Sequence, residues 1–272
     1  MNIRPPAVAG TFYEGTPDRL RAQVERCFDA NPPAPQEKQR FLGAVVPHAG
    51  LMYSGAIAAS FYALADLPKR FVILCPNHTG AGHFAAINRE GAWRTPFGDA
   101  AIDGTLADAL MAKTKLLAVD TKAHAREHSL EVQLPFLQHL LGGGFTFVPI
   151  CLGAHRYDYA EEIGRAIADV LKDEQDVAIL ASSDLNHYED QQTTLRKDQL
   201  AIDEVLKRNP RELWRVVDEF DVSMCGFIPT TTMLVATNLL GATDARLVRH
   251  ATSGDVNGDY SHVVGYASIV VS

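Results

Sequence analysis

Short apolar runs alternate with amphipathic stretches along most of the chain. The apolar runs predict buried strands over residues 43–47, 71–75, 145–151 and 176–182. The amphipathic stretches predict helices over residues 17–30, 55–65, 106–113 and 157–172. Continuous apolar strands that alternate with helices are typical of a largely parallel sheet with helices on both faces. The chain is therefore predicted to be an α/β protein, with the strand order left open.

The last third of the chain has a different pattern. Helical periodicity dominates residues 194–240, and breaks at Pro210 and near Cys225 predict three separate pieces. Two strands follow, over residues 245–250 and 262–271, and their closeness in sequence favours an antiparallel pair.

Residues 127–141 place four leucines on one helical stripe, and Ser129 stands where it would cap the start of the helix. Pro135 lies within the same stretch. Because proline breaks the hydrogen bonding of a helix interior, the helix is expected either to begin late or to kink at Pro135.

Composition excludes some functions. The 272 residues carry a formal net charge of −8, and the sequence has no Lys/Arg cluster of the kind that binds phosphates. A nucleic acid partner is therefore not expected. No run approaches the roughly 20 apolar residues that a membrane span needs.

The four cysteines are widely spaced without a CxxC pair, which favours reduced thiols. With no secretory signal at the start, we expect a cytoplasmic protein. The Pro-rich residues 31–38 are predicted to form a surface connection.

Residues that bind metals or carry protons follow three of the predicted strands. His48 follows the first strand, His78 the next, and Asp184 and His187 the strand that ends near Ser182. In parallel sheets, ligands bind beyond the carboxyl ends of the strands, so these side chains would converge if the strands are neighbours. Taken singly, each also fits an ordinary loop or capping residue.

Cys225, followed by Gly226, stands at a predicted helix start or tight turn. A buried core position would explain the residue equally well, but a helix start also stabilises a thiolate. Together with His48 and His78 it would form a mixed nitrogen and sulfur site. Such donors suit iron(II), copper(I) or zinc, and three protein ligands leave a coordination position open.

Two further pairs are candidates for proton transfer. Asp184 would orient His187 and fix its tautomer, and His128 would pair in the same way with Glu131, three residues later. The serines of the Ser182-Ser183 pair lack the flanking glycines of a nucleophile elbow.

The chain resembles the Memo family in motifs that run from its first residues to its last strand. These motifs are residues 4–13 (RPPAVAGTFY), 46–50 (VPHAG), 53–55 (YSG), 76–78 (PNH), 127–137 (EHSLEVQLPFL), 182–188 (SSDLNHY), 225–226 (CG) and 251–255 (ATSGD). The resemblance implies one domain over residues 1–272, with the fold of the class III extradiol dioxygenases, in which two histidines and a glutamate hold iron(II).

What the resemblance implies for the site can be given residue by residue. His48 and His78 match the metal histidines, and Cys225 stands where the dioxygenases have the glutamate. His187 and Asp184 match the acid/base region of the pocket, and His128 is a further pocket member. A thiolate ligand changes the electronic properties of the iron and is itself oxidisable. A shared fold also does not imply a shared function, so ring cleavage does not follow from the resemblance.

Three functions therefore remain. The first is a redox role, dependent on iron or copper, that acts on an unidentified substrate. Zinc is another metal that the donors accept. The second is a binding module for a peptide or partner protein, for which the family suggests AMMECR-type and radical-SAM proteins. The third is an active extradiol dioxygenase.

Overall fold

The computed structural model describes residues 2–31, 37–174 and 176–272. Most of the predicted Pro-rich connection, residues 32–36, lies outside this range. The strands are β1 (Ile3–Arg4), β2 (Gly43–Val46), β3 (Arg70–Pro76), β4 (Ala85–Ile87), β5 (Ala92–Thr95), β6 (Gly98–Ile102), β7 (Ala118–Val119), β8 (Thr146–Leu152), β9 (Val177–Ser182), β10 (His187–Glu189), β11 (Ala245–Thr252) and β12 (Val263–Val271). The α-helices are α1 (Pro17–Asp29), α2 (Leu51–Leu64), α3 (Gly104–Lys113), α4 (Lys122–Ala125), α5 (Leu134–Leu141), α6 (Tyr157–Leu171), α7 (Gln191–Leu206), α8 (Pro210–Glu219), α9 (Phe227–Leu239) and α10 (Gly254–Asn257).

One mixed sheet runs through the molecule. Its strand order is β1-β5-β6-β8-β3-β9-β2-β12-β10, with β11 paired to β12 and β4 to β8. The four central strands, β8, β3, β9 and β2, are all parallel, while β12 runs antiparallel to β2 and to β11. This confirms the predicted parallel centre and the antiparallel pair at the end of the chain.

Helices cover both faces of the sheet. Along β3, Val72 and Leu74 belong to one apolar cluster, and Phe71 and Ile73 to the other. The first cluster includes residues of α3, α6, α7, α8 and α9, and the second includes residues of α1, α2 and α5. Because side chains alternate across a strand, a strand buried on both faces needs apolar residues at every position. The observed layers confirm the predicted α/β class.

Several boundaries differ from the prediction. The helix predicted over residues 55–65 begins at Leu51, immediately after the loop that carries His48. The short strands β4 to β7 have two to five residues each, and the sequence pattern did not indicate them. They are too short to give the continuous apolar run that marks the central strands.

The segment over residues 127–141 begins its α-helix late. A short 3₁₀ turn, Glu131–Gln133, precedes α5, and Pro135 lies in the first turn of that helix. There its missing N–H costs no hydrogen bond. Ser129 therefore does not cap the helix; its hydroxyl donates to Glu127 instead. Within the described residues, no helix is both long enough and apolar enough to cross a membrane.

Candidate metal centre

The loops that follow β2, β3 and β9 meet at one edge of the sheet. These three strands are neighbours in the order β3-β9-β2, so the loops that carry His48, His78 and Asp184 lie side by side. All three residues line a cavity of about 620 Å³, together with His128, His187 and Cys225. The convergence predicted from the sequence is therefore present.

Three histidines form the centre of this cavity. The potential ligand atoms of His48, His78 and His128 all lie within 4.8 Å of one another. The ring centroids of His78 and His128 are 4.7 Å apart, and that of His48 lies 5.3 Å from His78 and 5.5 Å from His128. His48 is buried, His128 is half-buried and His78 is the most exposed. These three imidazoles can hold a metal ion.

The backbone and ring of His48 are both fixed by β9 and the loop that follows it. Its Nδ1 lies 3.0 Å from Oγ of Ser182, the last residue of that strand. The backbone N–H groups of His48 and Ala49 donate to Oδ1 of Asp184 at 2.8 and 3.3 Å. Burial lowers the pKa of His48 well below its usual value, and repulsion from His128 and the other nearby histidines adds to this. The ring is therefore neutral, as a metal ligand must be.

His78 is oriented by a buried carboxylate. Its Nδ1 lies 2.8 Å from Oε1 of Glu127, and its backbone N–H donates to Oε2 at 2.7 Å. Ser129 donates to Oε1 of Glu127 through both its backbone N–H and its hydroxyl. Burial alone would raise the pKa of Glu127, but the hydrogen bonds from His78 and Ser129 lower it to about 2. With Nδ1 bound to a carboxylate, Nε2 is the nitrogen left for a metal.

His128 lies between the carboxylate of Glu127 and the ring of Phe12. Its Nδ1 is 3.6 Å from Oε1 of Glu127, and its ring centroid is 4.7 Å from that of Phe12. Burial lowers the pKa of His128 below its usual value. This ring therefore also favours the neutral form.

The predicted pairing of His128 with Glu131 is wrong. The carboxylate of Glu131 points to the N-terminal segment, where Arg4 and Tyr13 donate to it at 2.5 and 2.6 Å. The backbone N–H groups of Ala7 and Val8 donate to it as well. The spacing of three residues brings side chains together only where a helix has formed, and His128 precedes the 3₁₀ turn.

Cys225 adds a sulfur atom to the nitrogen cluster. Its Sγ lies 3.3 Å from Nε2 of His48, and the backbone N–H of Asp184 donates to it at 3.3 Å. Burial raises the pKa of the thiol well above its usual value, and the nearby Asp184 raises it further. Cys225 is nevertheless partly exposed, whereas the three other cysteines are buried.

Asp184 and His187 both reach the cavity but bind other groups. Asp184 accepts from the backbone of the His48 loop, as described above. Nδ1 of His187 lies 2.8 Å from the carbonyl oxygen of Ser223, and its backbone N–H donates to Ser223 Oγ. The sequence hypothesis that Asp184 orients His187 is therefore not supported by a hydrogen bond among the described residues; Ser223 holds this ring. Burial raises the pKa of Asp184 to about 6.

Comparison with known proteins agrees with the family resemblance. The family model described as Memo-like protein matches residues 4–270. The chain belongs to the Memo family. MEMO1 family proteins of Sulfolobus acidocaldarius, Methanocaldococcus jannaschii and Thermotoga neapolitana are 45%, 43% and 42% identical to it. The matches cover 98–99% of this chain and 98%, 99% and 100% of the three relatives.

A more distant likeness concerns the fold of this Memo-family chain. The crystal structure of an uncharacterised protein from Escherichia coli K12 aligns with a TM-score of 0.59 at 12% identity. The alignment covers 85% of this chain and 100% of the other. At this identity the likeness shows a common fold and nothing about activity.

Sequence reasoning missed the residues that orient His48 and His78 in this Memo-family protein. Glu127 and Ser182, both fully buried, bind the Nδ1 atoms of His78 and His48. Glu127 could have been suspected, because it directly precedes His128 within the family motif over residues 127–137. Ser182 gave no signal beyond its place at the end of a strand.

Proposed function

We propose that this Memo-family protein is a metal-dependent redox protein, with iron(II) or copper held by His48, His78 and Cys225. The substrate would be a small molecule bound in the adjoining cavity. The observation that carries the proposal is the cluster of three imidazoles at one edge of the sheet, two of them with Nδ1 already bound to a protein group. Zinc is a further metal that such donors accept.

The donor atoms fit a metal. Bonds of about 2.0–2.1 Å to nitrogen and about 2.3 Å to sulfur hold the two atoms roughly 3.1–3.6 Å apart around one ion. The distance between Cys225 Sγ and His48 Nε2, 3.3 Å, lies in that range. Imidazole with thiolate selects soft or intermediate metals over magnesium and calcium. Although burial keeps the free thiol protonated, a bound metal would take it as the thiolate.

A bound iron or copper ion would supply one-electron chemistry. The protein's own groups would do the rest. His128 and His187 lie on the cavity wall as acid/base candidates, and Asp184, close to His48, is a third. Aromatic residues line the cavity as well, namely Phe12, Tyr53, Tyr188 and Tyr266. They would exclude water from a bound substrate and favour one with an apolar or planar surface.

The decisive experiment measures metal in anaerobically purified protein, followed by titration with iron(II) and copper(I). Wild type is compared with His48→Ala, His78→Ala, His128→Ala and Cys225→Ser. We expect about one metal per chain in wild type, and loss of binding in the His48, His78 and Cys225 variants. Loss in His128→Ala with retention in Cys225→Ser would make His128 the third ligand and refute the assignment of Cys225.

The redox part of the proposal is tested on the loaded protein. Oxygen consumption that depends on the metal and disappears in Cys225→Ser would support it. Loaded protein that consumes no oxygen with any tested reductant would contradict it. A catechol panel belongs in the same assay, because ring-cleavage absorbance would identify a dioxygenase instead.

One observation favours a second candidate, a binding module. The residues Met52 and Tyr188, both on the cavity wall, are 66% and 73% exposed. Exposed large apolar residues at the mouth of a pocket are typical of surfaces that bind peptides or proteins. AMMECR-type and radical-SAM proteins are the partners to try first. Binding of either by the metal-free protein, lost in a Met52→Ser, Tyr188→Ser double variant, would support this candidate.

A further inference from the structure

Ser182 is bound on three sides by groups whose roles as donor or acceptor are fixed. The residue is fully buried at the end of β9. Its Oγ lies 2.6 Å from the carbonyl oxygen of Ser129, 2.9 Å from Nε2 of Gln133 and 3.0 Å from Nδ1 of His48. A carbonyl oxygen only accepts, so the single hydroxyl proton of Ser182 goes to Ser129. The two lone pairs of Oγ must then accept from Gln133 and from His48.

The orientation of the Gln133 amide is fixed by its own neighbours. Its Nε2 lies 3.0 Å from the carbonyl oxygen of Pro47, and its Oε1 lies 2.8 Å from the hydroxyl of Tyr62. A flipped amide would turn Oε1 toward Pro47, and two acceptors would face each other. Gln133 therefore donates to Ser182, while the buried Tyr62 hydroxyl donates to Gln133.

These constraints decide which nitrogen of His48 carries the proton. If Nδ1 were unprotonated, its lone pair would face a lone pair of Ser182, because the Ser182 proton already points to Ser129. Nδ1 must therefore be protonated, and the lone pair of the neutral ring lies on Nε2. Nε2 is the nitrogen that faces Cys225 Sγ, at 3.3 Å.

We propose that Ser182 is a positioning residue for the metal centre: its hydroxyl, oriented by the Ser129 carbonyl and the Gln133 amide, holds His48 in the tautomer that offers Nε2 to a metal. This inference rests on the metal centre proposed above. Glu127 holds Nδ1 of His78 in the same way. The stretch from Glu127 to Gln133 therefore orients both metal histidines through their Nδ1 atoms. Groups that hold a metal histidine in this way commonly change metal affinity roughly 10- to 100-fold when they are removed.

The test reads the tautomer directly, by long-range ¹H–¹⁵N NMR on metal-free protein labelled at histidine. We expect a protonated Nδ1 and an unprotonated Nε2 for His48 in wild type. In Ser182→Ala the acceptor for Nδ1–H is gone, while Cys225 Sγ, 3.3 Å from Nε2, remains as an acceptor on the other side, and the carboxylate of Asp184 lies 3.9 Å from Nε2. The proton is therefore expected to shift toward Nε2, and zinc affinity to fall about 10- to 100-fold.

Ser268→Ala is the matched control. Ser268 is also fully buried, and its hydroxyl donates to a carbonyl oxygen, that of Ile57, away from the cavity. It should leave both the tautomer and the zinc affinity unchanged. An Nε2–H tautomer in wild type would overturn the proposal, and so would Ser182→Ala with an unchanged tautomer and affinity. If Ser182→Ala does not fold, the wild-type tautomer still decides. Wild type with the expected tautomer but no metal uptake would instead refute the proposed function.

Discussion

The carboxylate of Glu127 lies 2.8 Å from Nδ1 of His78 and is fully buried, so the most exposed histidine of the cluster is fixed from its protected side. Glu127 and Glu131 are four residues apart and both buried, yet they bind different parts of the structure. Glu127 orients His78, and Glu131 anchors the N-terminal segment. This difference provides a matched pair of variants.

Glu127→Gln is expected to lower metal affinity about 10- to 100-fold, because the amide presents His78 with a weaker acceptor and can turn a donor toward it. Isothermal titration with zinc measures the effect. Glu131→Gln is the control, since Glu131 does not contact His78, and its zinc affinity should stay near that of wild type below its unfolding temperature. Equal losses in both variants would argue against a specific role for Glu127.

Glu131→Gln is instead expected to destabilise the fold. It leaves the buried guanidinium of Arg4 without its charged partner, and breaking a buried ion pair from one side commonly costs about 3–5 kcal/mol. Urea unfolding measures this, and hydrogen exchange should show faster exchange at Ala7 and Val8, whose amides donate to Glu131. Asp99→Asn, which breaks the exposed pair with Arg94, should leave the free energy of unfolding nearly unchanged, because solvent screens that pair. A loss below about 1 kcal/mol in Glu131→Gln would contradict the anchoring role.

Gly226→Ala tests why a glycine follows Cys225. A Cβ at this position would lie 2.4 Å from the carbonyl oxygen of Ser182 and 2.4 Å from Cβ of Ser183. The end of β9 and the start of α9 would have to separate, at a cost of about 1–3 kcal/mol. The Cys225 thiol would move with that helix start, so metal affinity should also fall. Thermal unfolding and zinc titration measure the two effects.

Gly143→Ala is the control for that variant, because a Cβ there would meet no atom within 4 Å. It should leave metal affinity unchanged and alter stability by less than about 0.5 kcal/mol. Comparable destabilisation by both alanines would show that the close approach at Gly226 is not the cause.

Asp103 is expected to make the free energy of unfolding depend on pH in the acid range. It caps α3 through Leu106 N–H and accepts from Arg70 at 2.7 Å. Burial by itself would raise the pKa of Asp103, but Arg70 and the cap lower it below its usual value. A carboxyl with a lowered pKa stabilises the fold above the pKa of the unfolded chain, about 4, and this contribution is lost as the pH falls through the lower, folded-state pKa.

Asp103→Ala should therefore lower the free energy of unfolding by about 0.5–2 kcal/mol at pH 7, and by less near pH 3. Urea unfolding between pH 7 and pH 3 measures both. If the variant lost the same stability at every pH, the charge of Asp103 would contribute nothing, and the cap alone would explain the cost.

Much of the fold follows from local pattern. The strands at the parallel centre, such as Val177–Ser182, are apolar at nearly every position because both faces are covered, and that run is visible in the sequence. The helical region is divided into three helices as predicted: α8 begins at Pro210, and α9 begins directly after the Cys225-Gly226 pair. The strands between residues 85 and 119 could not be found this way. They are held by neighbours such as β8 rather than by their own apolar pattern.

For the site, the sequence determined which side chains stand after strands, and the rule for parallel sheets indicated that His48, His78 and Asp184 would meet. The sequence did not determine which groups bind them. Glu131 was matched to His128 by spacing, yet the fold brings Arg4, more than a hundred residues away, to Glu131 instead. Ser182 meets His48 across 134 residues of chain, and Glu127 meets His78 across 49. Such contacts depend on strand order and loop paths, because a hydrogen bond needs atoms within about 3 Å, and only the tertiary structure sets distances on that scale.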